Sequence, residues 1–326
     1  MRPTRRTPRS PARYLYQNAE TEDNAPMPFY RVPLHPRLVE LFAKQAPVLP
    51  DVALDRGLLH LDVARAYQAA RAGSAEAEEL VRHCRTMLDG FFMDGFVIIE
   101  AAPLLSLGAE LSTRAATALL TWLATPLKAF DDRPLWYPLD IAPASEQADV
   151  ADSGYTPFHI DLAHTTCPPD YSALWCLRPD PSGGGHTLVS QIRRAVVRLD
   201  DEERRFLAAR VFRDGDFSMR TGVGAEYRPF SVLDGLENAK GFVRFTEAML
   251  NDMDPRDPHT RAARALEREL LTGQRRFRLD CGDLIVINQH VCAHGRDRFG
   301  PRHPTTPQDE KQVQWQMLLR ARRGTA

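Results

Sequence analysis

From Pro126 to its end, the chain consists of short runs rich in β-branched and aromatic residues, separated by Pro, Gly and Asp. Many short strands with frequent turn signals predict a β-sandwich or barrel, and a double-sheet jelly roll is one such arrangement. Two amphipathic segments interrupt the strands and predict helices, namely IRRAVVRLDDEERRFLAAR and PHTRAARALERELLTG. The predicted strands are LWYPLDI, GYTPFHIDL, SALWCLRP, HTLVSQI, FSVLDG, GFVRFTE, RRFRLD, DLIVINQHV and VQWQMLLR.

The part of the chain before Pro126 has a different pattern. Residues 1–28 are rich in Arg, Pro and Thr without apolar periodicity, which predicts a flexible tail. From Pro36 to Leu123, apolar residues recur at spacings of three and four, which predicts helices, with one short buried strand at GFVIIEAAP. We therefore expect a mainly β protein with flanking helices and a single domain over 29–326. In this interpretation, 29–125 is a helical subregion and 126–326 is a double-stranded β-helix (jelly-roll) core with inserted helices.

Composition restricts the kind of partner. The 326 residues are 43% hydrophobic and 26% charged with a formal net charge of −1, so no nucleic-acid or anionic-membrane partner is expected. The basic start has no hydrophobic segment behind it, which argues against a secretory signal. Five scattered cysteines without a C-x-x-C pair are typical of reduced thiols, and a cytoplasmic location is expected. Cys176, Cys281 and Cys292 lie in strand-like runs and are predicted to be small core residues.

His159 and Asp161 are the first candidates for chemistry. They lie two residues apart in a predicted strand, and positions i and i+2 of a strand share a face, so both groups should reach one cavity. An imidazole and a carboxylate on one face are two members of a 2-His-1-carboxylate triad, which binds Fe(II) and leaves coordination positions open. The third ligand must be a histidine from elsewhere, and His294, in GDLIVINQHVCAHGRDRF, is the best candidate.

Three other histidines compete for this role. His164 falls on the opposite face of a straight strand, and reaches the site only if the strand has ended. His290 has the same parity as His294 and is a candidate for a deeper position on the same face, although a packed imidazole is the simpler interpretation. His186, in GGGHT, is predicted to begin a strand.

The motifs around the candidate ligands occur in a recognisable order. PPDYSALWCLRPD follows His159, GGGHT comes next, and a late apolar strand ends in His-Gly-Arg. Together these segments, from about Phe91 to Arg320, resemble the clavaminate synthase-like and taurine dioxygenase-like branch of the Fe(II)/2-oxoglutarate oxygenases. In that family an H-T-[DE] strand is followed by P-D-Y-x-x-L, G-G-x-T and [D/N]-N-x-x-V-x-H-G-R-x-x-F. The resemblance implies a jelly-roll dioxygenase with iron ligands His159, Asp161 and His294, and with 2-oxoglutarate and O2 as co-substrates.

The 2-oxoglutarate anchor departs from the family pattern. Relatives hold the distal carboxylate with an arginine on the last strand, often in R-W-L-x-R, because a guanidinium donates two parallel hydrogen bonds to a carboxylate. Placed on QMLLR, this pattern puts Gln316 at the first arginine position and Arg320 at the second. Glutamine carries no charge, so the sequence favours Arg320, with Arg296 and Arg302 as further candidates. Thr187 corresponds to the threonine of G-G-x-T, whose hydroxyl can donate to the 2-oxoglutarate carboxylate.

The resemblance also implies a substrate class. Relatives in the clavaminate synthase-like group act on free amino acids, so we expect hydroxylation of an unactivated C–H bond in a small, amino-acid-like molecule. Arg244 is a candidate for binding the substrate carboxylate, although an outward-facing strand arginine is the simpler interpretation, and the segment from Phe212 to Ser231 is a candidate lid. The same iron ligands would also serve desaturation or cyclisation, and Gln316 leaves room for a different co-substrate. A non-catalytic metal- or ligand-binding jelly roll is the alternative outside enzymology.

Overall fold

A computed structural model describes most of the chain, except for the two termini and several internal segments. The tail predicted at 1–28 lies outside the described residues, and so does most of the candidate lid between Phe212 and Ser231. Within the described part, no helix is long and apolar enough to cross a membrane. The described residues are 30–90, 93–128, 133–139, 154–213, 229–235, 241–251, 253–301, 306–307 and 309–321.

Helices dominate the N-terminal part, as its apolar periodicity predicted. Ser74 caps the third helix by accepting a hydrogen bond from the backbone N–H of Ala77 at 3.2 Å. Short strands from the same region join the main sheet, so this part is not purely helical. The α-helices described in this part are α1 (Pro36–Gln45), α2 (Leu61–Ala69), α3 (Ala75–Asp89) and α4 (Ala109–Leu123), and a 3-10 helix covers Ala102–Leu107. The strands are β1 (Arg31–Pro33), β2 (Leu54–Asp55), β3 (Leu58–Leu59) and β4 (Phe96–Glu100).

Strands dominate the chain from residue 125 onward, where the sequence predicted them. In order they are β5 (Thr125–Leu127), β6 (Tyr137–Pro138), β7 (Thr156–His159), β8 (Tyr171–Arg178), β9 (Thr187–Gln191), β10 (Leu233–Asp234), β11 (Phe242–Val243), β12 (Gln274–Phe277), β13 (Asp283–Asn288), β14 (Cys292–Arg296) and β15 (Val313–Arg320). The inserted helices are α5 (Ile192–Arg198), α6 (Asp201–Leu207) and α7 (Pro258–Thr272).

Two sheets face each other and enclose the interior. The larger sheet has the order β1-β4-β13-β8-β15-β5-β3-β2, with β6 beside β15, and the smaller has the order β12-β9-β14-β7. Side chains alternate between the faces of each strand. Leu174 and Ile285 of the larger sheet pack against Val189 of the smaller one, whereas Trp175 points outward into a core formed with the N-terminal helices. The outer face of the smaller sheet, including Leu188, packs on α5 and α7.

Two sequence predictions about local structure were wrong. The segment expected as one helix is two, α5 and α6, because Asp200 accepts a hydrogen bond from the N–H of Glu203 and the Glu203 side chain accepts one from Asp200. This capping box starts a new helix in the middle of the segment. Cys176 and Cys292 are buried core residues as predicted, but Cys281 is exposed because it lies in the turn before β13.

Candidate active site

His159 and Asp161 reach the interior together, but not by the route that strand parity predicted. Strand β7 ends at His159, and the chain turns at Leu162, whose φ of +54° lies in the left-handed region. Asp161 is instead fixed through its backbone N–H, which donates to Oε1 of the fully buried Gln289 at 2.5 Å. Ile160 points to the opposite face and packs in the outer core of the smaller sheet.

His294 lies opposite His159 in the antiparallel pairing of β14 with β7. The two imidazole centroids are 4.4 Å apart. His294 Nε2 lies 3.6 Å from Asp161 Oδ2, and His159 Nε2 lies 3.7 Å from Asp161 Oδ1. One ligand atom from each of the three residues falls within 4.8 Å of the others. The three candidate ligands predicted from sequence are therefore brought together.

The donor and acceptor properties of this cluster suit a cation. His159 Nδ1 lies 2.9 Å from the carbonyl oxygen of Pro157, which can only accept, so Nδ1 carries the proton and Nε2 presents its lone pair. Asp161 Oδ2 is buried and has no hydrogen-bond partner among the described residues. Lone pairs that converge in a buried space repel one another unless a positive charge lies between them, and two imidazoles with one carboxylate form the donor set of non-haem Fe(II).

Burial and mutual contact set the charge states of the ligands. Burial lowers the pKa of His294 to about 4, even though Asp161 opposes the shift, so this imidazole is neutral at pH 7. Burial alone would raise the pKa of Asp161, but the nearby His294 and His159 bring it well below its ordinary value. A neutral imidazole beside an ionised carboxylate is the state that coordinates a metal.

Gln316 lies directly against the candidate metal centre. Its Nε2 donates to Asp161 Oδ1 at 3.0 Å and to Ser172 Oγ at 2.8 Å, and its Oε1 accepts a hydrogen bond from the Tyr137 hydroxyl. Burial raises the pKa of Tyr137 well above its ordinary value, so the phenol stays protonated and remains a donor. Both polar atoms of the Gln316 amide group are thus engaged, so the amide is held in place while Nε2 orients the carboxylate of Asp161.

Arg320 lies at the far end of β15 and holds a loop. Its guanidinium donates to the carbonyl oxygens of Cys167 at 2.9 Å and Pro168 at 2.7 Å, and lies 3.4 Å from Asp170 Oδ2. Asp170 also lies 2.7 Å from His290 Nε2, and the His290 ring stacks on Phe242. His290 is therefore packed away from the triad, because the turn after β13 breaks the parity that linked it to His294.

Thr187 and Arg296 are direct neighbours in the smaller sheet. They are paired residues of β9 and β14, and Arg296 lies two residues after His294 on the same face. The Arg296 Nε donates to the carbonyl oxygen of Gly154 at 2.8 Å, and its guanidinium lies 4.9 Å from the centre of the Phe299 ring. Burial lowers the pKa of Arg296 to about 10. Arg302, the other arginine considered, lies outside the described residues.

Arg244 is not the outward-facing arginine that the sequence favoured. It is 7% exposed, and its guanidinium pairs with Asp234 at 2.6 Å and donates to backbone carbonyls of residues 163, 165 and 166. These contacts fix the loop that follows Asp161. His186 directly precedes β9, as predicted.

Sequence analysis missed the residues that support the ligands. Gln289 contacts Asp161 and Tyr137 contacts Gln316 only because distant segments meet in the fold, and no local pattern marks Tyr137. The one available signal was that Gln289 is a polar residue directly after the strongly apolar run DLIVIN.

Comparisons with known proteins agree with this architecture. The chain matches the family described as Taurine catabolism dioxygenase TauD, TfdA family over residues 83–309. It is 29% identical over 238 residues to L-asparagine oxygenase of Streptomyces coelicolor, and this alignment covers 65% of this chain and 68% of that protein. It is 30% identical over 149 residues to clavaminate synthase 2 of Streptomyces clavuligerus, and this alignment covers 44% of this chain and 45% of that protein.

Solved structures share the fold. A crystal structure of asparagine oxygenase aligns with a TM-score of 0.69 at 22% identity, over 90% of this chain and 93% of that one. The non-heme iron oxygenase OrfP in complex with Fe and alpha-ketoglutaric acid aligns with a TM-score of 0.64 at 16% identity, over 90% and 94%. The expected mainly β fold with flanking helices is confirmed. The family match covers well over half of the chain, which therefore belongs to the TauD, TfdA family of dioxygenases and is an Fe(II)/2-oxoglutarate-dependent oxygenase.

Proposed function

We propose that this enzyme hydroxylates an unactivated C–H bond of a free amino acid or a small amino-acid derivative. His159, Asp161 and His294 are the proposed iron ligands. The observation that carries this proposal is the convergence of their three ligand atoms within 4.8 Å, around a buried carboxylate oxygen that finds no hydrogen-bond partner in the described part of the chain. A binding protein has no need for a triad that leaves coordination positions open, whereas an oxygenase requires them.

The relatives support the substrate class. The similar curated proteins are named L-asparagine oxygenase and clavaminate synthase 2. Among the similar structures, an asparagine oxygenase was solved in complex with Fe(II), 2S,3S-3-hydroxyasparagine and succinate, and OrfP with Fe, succinate and (3S)-hydroxy-L-Arg. Succinate is the product that 2-oxoglutarate leaves after oxidative decarboxylation, in which it loses CO2 and takes up one oxygen atom of O2. Asparagine and arginine are therefore the first substrates to test.

In this mechanism iron, 2-oxoglutarate and O2 supply the oxidising power, and the chain positions the reactants. His159 is held in the ligating tautomer by the Pro157 carbonyl, and Asp161 is oriented by Gln316 and by the amide of Gln289. His294 stays neutral because it is buried. Apolar residues on the facing sheets keep water from the interior, which limits side reactions.

The remaining proposals concern the whole chain. We propose that the two facing sheets form a double-stranded β-helix, or jelly roll, and that 29–326 folds as one domain. The face-to-face packing of the sheets and the strands that β1 and β4 contribute to the larger sheet support both statements. A cytoplasmic location is supported by the five cysteines, all of which are free thiols.

The test is anaerobic titration with Fe(II) and then 2-oxoglutarate, monitored through the weak visible charge-transfer band of the chelate. We expect the band in the parent protein, and no iron binding in His159→Ala and His294→Ala. His259→Ala is the matched control, because His259 is half-buried on α7 away from the triad. Succinate release across an amino-acid panel then identifies the substrate, and mass analysis of the product separates hydroxylation from desaturation or cyclisation.

Two outcomes would contradict the proposal. Failure of the intact triad to bind Fe(II) would favour a non-catalytic binding protein. Iron binding without a chelate band would show that 2-oxoglutarate is not the co-substrate, and would direct the search to another 2-oxo acid.

A further inference from the structure

The last strand offers little positive charge to a co-substrate at the metal centre. The face of β15 that points between the sheets carries Gln314, Gln316, Leu318 and Arg320, because side chains alternate along a strand. Gln316 is bound to Asp161, and Arg320, at the far end, is bound to loop carbonyls and near Asp170. A dicarboxylate bound to the metal needs a cation for its second carboxylate, since an unpaired buried charge is strongly unfavourable. That cation has to come from another strand.

Arg296 on β14 occupies the position that this role requires. It follows His294 by two residues on the same face, which places the two Cα atoms ~6.6 Å apart along the strand. This separation suits a co-substrate that chelates the metal through one end and extends two methylene groups to its distal carboxylate. Arg296 also pairs in register with Thr187, whose 2% exposed side chain lies on the same interior face.

The surroundings of Arg296 leave its charge available. Its Nε is bound to the Gly154 carbonyl and its plane lies over the Phe299 ring, contacts that fix the guanidinium without neutralising it. Among the described residues, no carboxylate forms an ion pair with Arg296. A fixed guanidinium with unused donors matches the geometry of a carboxylate.

A second donor lies on the opposite sheet at the same end of the interior. Gln314 is 3% exposed, and its buried Nε2 has no hydrogen-bond partner in the part of the chain that the structure describes. Gln312, two residues earlier, donates to the carbonyl of Gly185 at 3.1 Å, so this end of β15 faces the start of β9 and hence Thr187. An orphaned buried N–H donor in a polar corner indicates a missing acceptor.

We infer that Arg296, assisted by Thr187 and Gln314, binds the distal carboxylate of 2-oxoglutarate, so that the anchor has moved from the last strand to β14. The inference rests on the proposed function, because it assumes a metal-chelating 2-oxo acid. Arg320 is then a loop-holding residue and Gln316 a positioning residue for Asp161. The arrangement selects dicarboxylic over monocarboxylic 2-oxo acids.

The test measures binding without turnover. Isothermal titration calorimetry on the Mn(II)-loaded protein compares 2-oxoglutarate with 2-oxobutanoate, which has the chelating end but lacks the distal carboxylate. In the parent we expect 2-oxoglutarate to bind at least about 30-fold more tightly than 2-oxobutanoate. This ratio corresponds to a buried charge pair that contributes about 2 kcal/mol or more. Arg296→Gln should remove most of this preference while leaving 2-oxobutanoate binding within about threefold of the parent, a change of about 0.7 kcal/mol.

Controls separate the inference from the proposed function. Arg298→Gln, an exposed arginine two residues further on, should behave like the parent. Arg296→Lys, which keeps the charge, should retain part of the preference and remains informative if Arg296→Gln fails to fold. Loss of the preference in Arg320→Gln, with Arg296→Gln unaffected, would overturn the inference and restore the last-strand anchor. Failure of the parent to bind Mn(II) would instead count against the proposed function.

Discussion

Lowering the pH should destabilise the metal-free protein through His294. Burial holds the pKa of this imidazole near 4, whereas its ordinary value of 6.5 applies in the unfolded chain. Between these values the unfolded chain binds a proton that the folded protein does not, so the free energy of unfolding falls as the pH drops from 6.5 to 4. The difference of 6.5 minus about 4, at about 1.4 kcal/mol per pKa unit, amounts to about 3 kcal/mol.

Asp161 does not contribute in this window. Its pKa in the folded protein lies below its ordinary value of 3.8, so the stability it provides is present above pH 3.8 and is lost only at lower pH. Burial also lowers the pKa of His186. Its effect on stability cancels when the parent is compared with a His294 variant, because both proteins contain His186. Between pH 7 and pH 4 the change in the parent's stability at the triad therefore comes chiefly from His294.

The assay is urea denaturation of the chelator-treated protein at pH 7 and pH 4, followed by circular dichroism. The parent is compared with His294→Gln, which replaces the imidazole by an amide that does not titrate. The parent should lose about 3 kcal/mol more than the variant between the two pH values. A difference below about 1 kcal/mol, close to the extrapolation error of such measurements, would refute a buried neutral His294.

Two predictions concern the scaffold. Arg244→Gln should lower the free energy of unfolding by about 2 kcal/mol, because it removes a buried guanidinium that holds the loop after Asp161, and hydrogen exchange in that loop should accelerate. Arg264→Gln, on the exposed side of α7, is the control, with an expected loss of about 0.5 kcal/mol or less. Gly282→Ala should cost at least about 2 kcal/mol more than Gly73→Ala. Both glycines have positive φ, but only at Gly282 does a Cβ meet backbone, 2.2 Å from Ala102 Cα; equal losses would show that the turn adjusts.

The candidate ligands could be predicted because the motif order of the sequence carries them, not because the strand argument was sufficient. Alternation along a strand placed Asp161 beside His159, yet β7 ends at His159 and the carboxylate is fixed by a turn and by Gln289. His290 is the packed imidazole that was the simpler interpretation of the sequence, because a turn separates it from β14 and removes the parity it would share with His294. The alternation of side chains between two faces holds only as far as the strand extends, and β propensity does not identify the last residue of a strand.

The partners of buried arginines were less predictable. Arg244 and Arg320 both hold parts of the loop between β7 and β8, at sequence separations of about 80 and 150 residues. Such contacts depend on which strands become neighbours, and a single sequence does not contain that information. The capping box at Asp200 was a local signal present in the sequence. It starts a new helix there, so α5 ends before Asp200 although the apolar periodicity continues through the whole segment.

Under the inferred anchor, charge balance accounts for a glutamine rather than an arginine at position 316 of β15. Gln316 lies 3.0 Å from Asp161 Oδ1, and an arginine at that distance would pair with the carboxylate and compete with the metal for it. With Fe(II) and 2-oxoglutarate bound, two positive charges face the one negative charge of Asp161 and the two of the co-substrate. One further positive charge is needed for neutrality in a buried space, and in the anchor we infer, Arg296 would supply it beside the distal carboxylate rather than beside Asp161. Gln316→Arg should therefore weaken metal binding, while Arg296→Gln should weaken binding of the dicarboxylate alone.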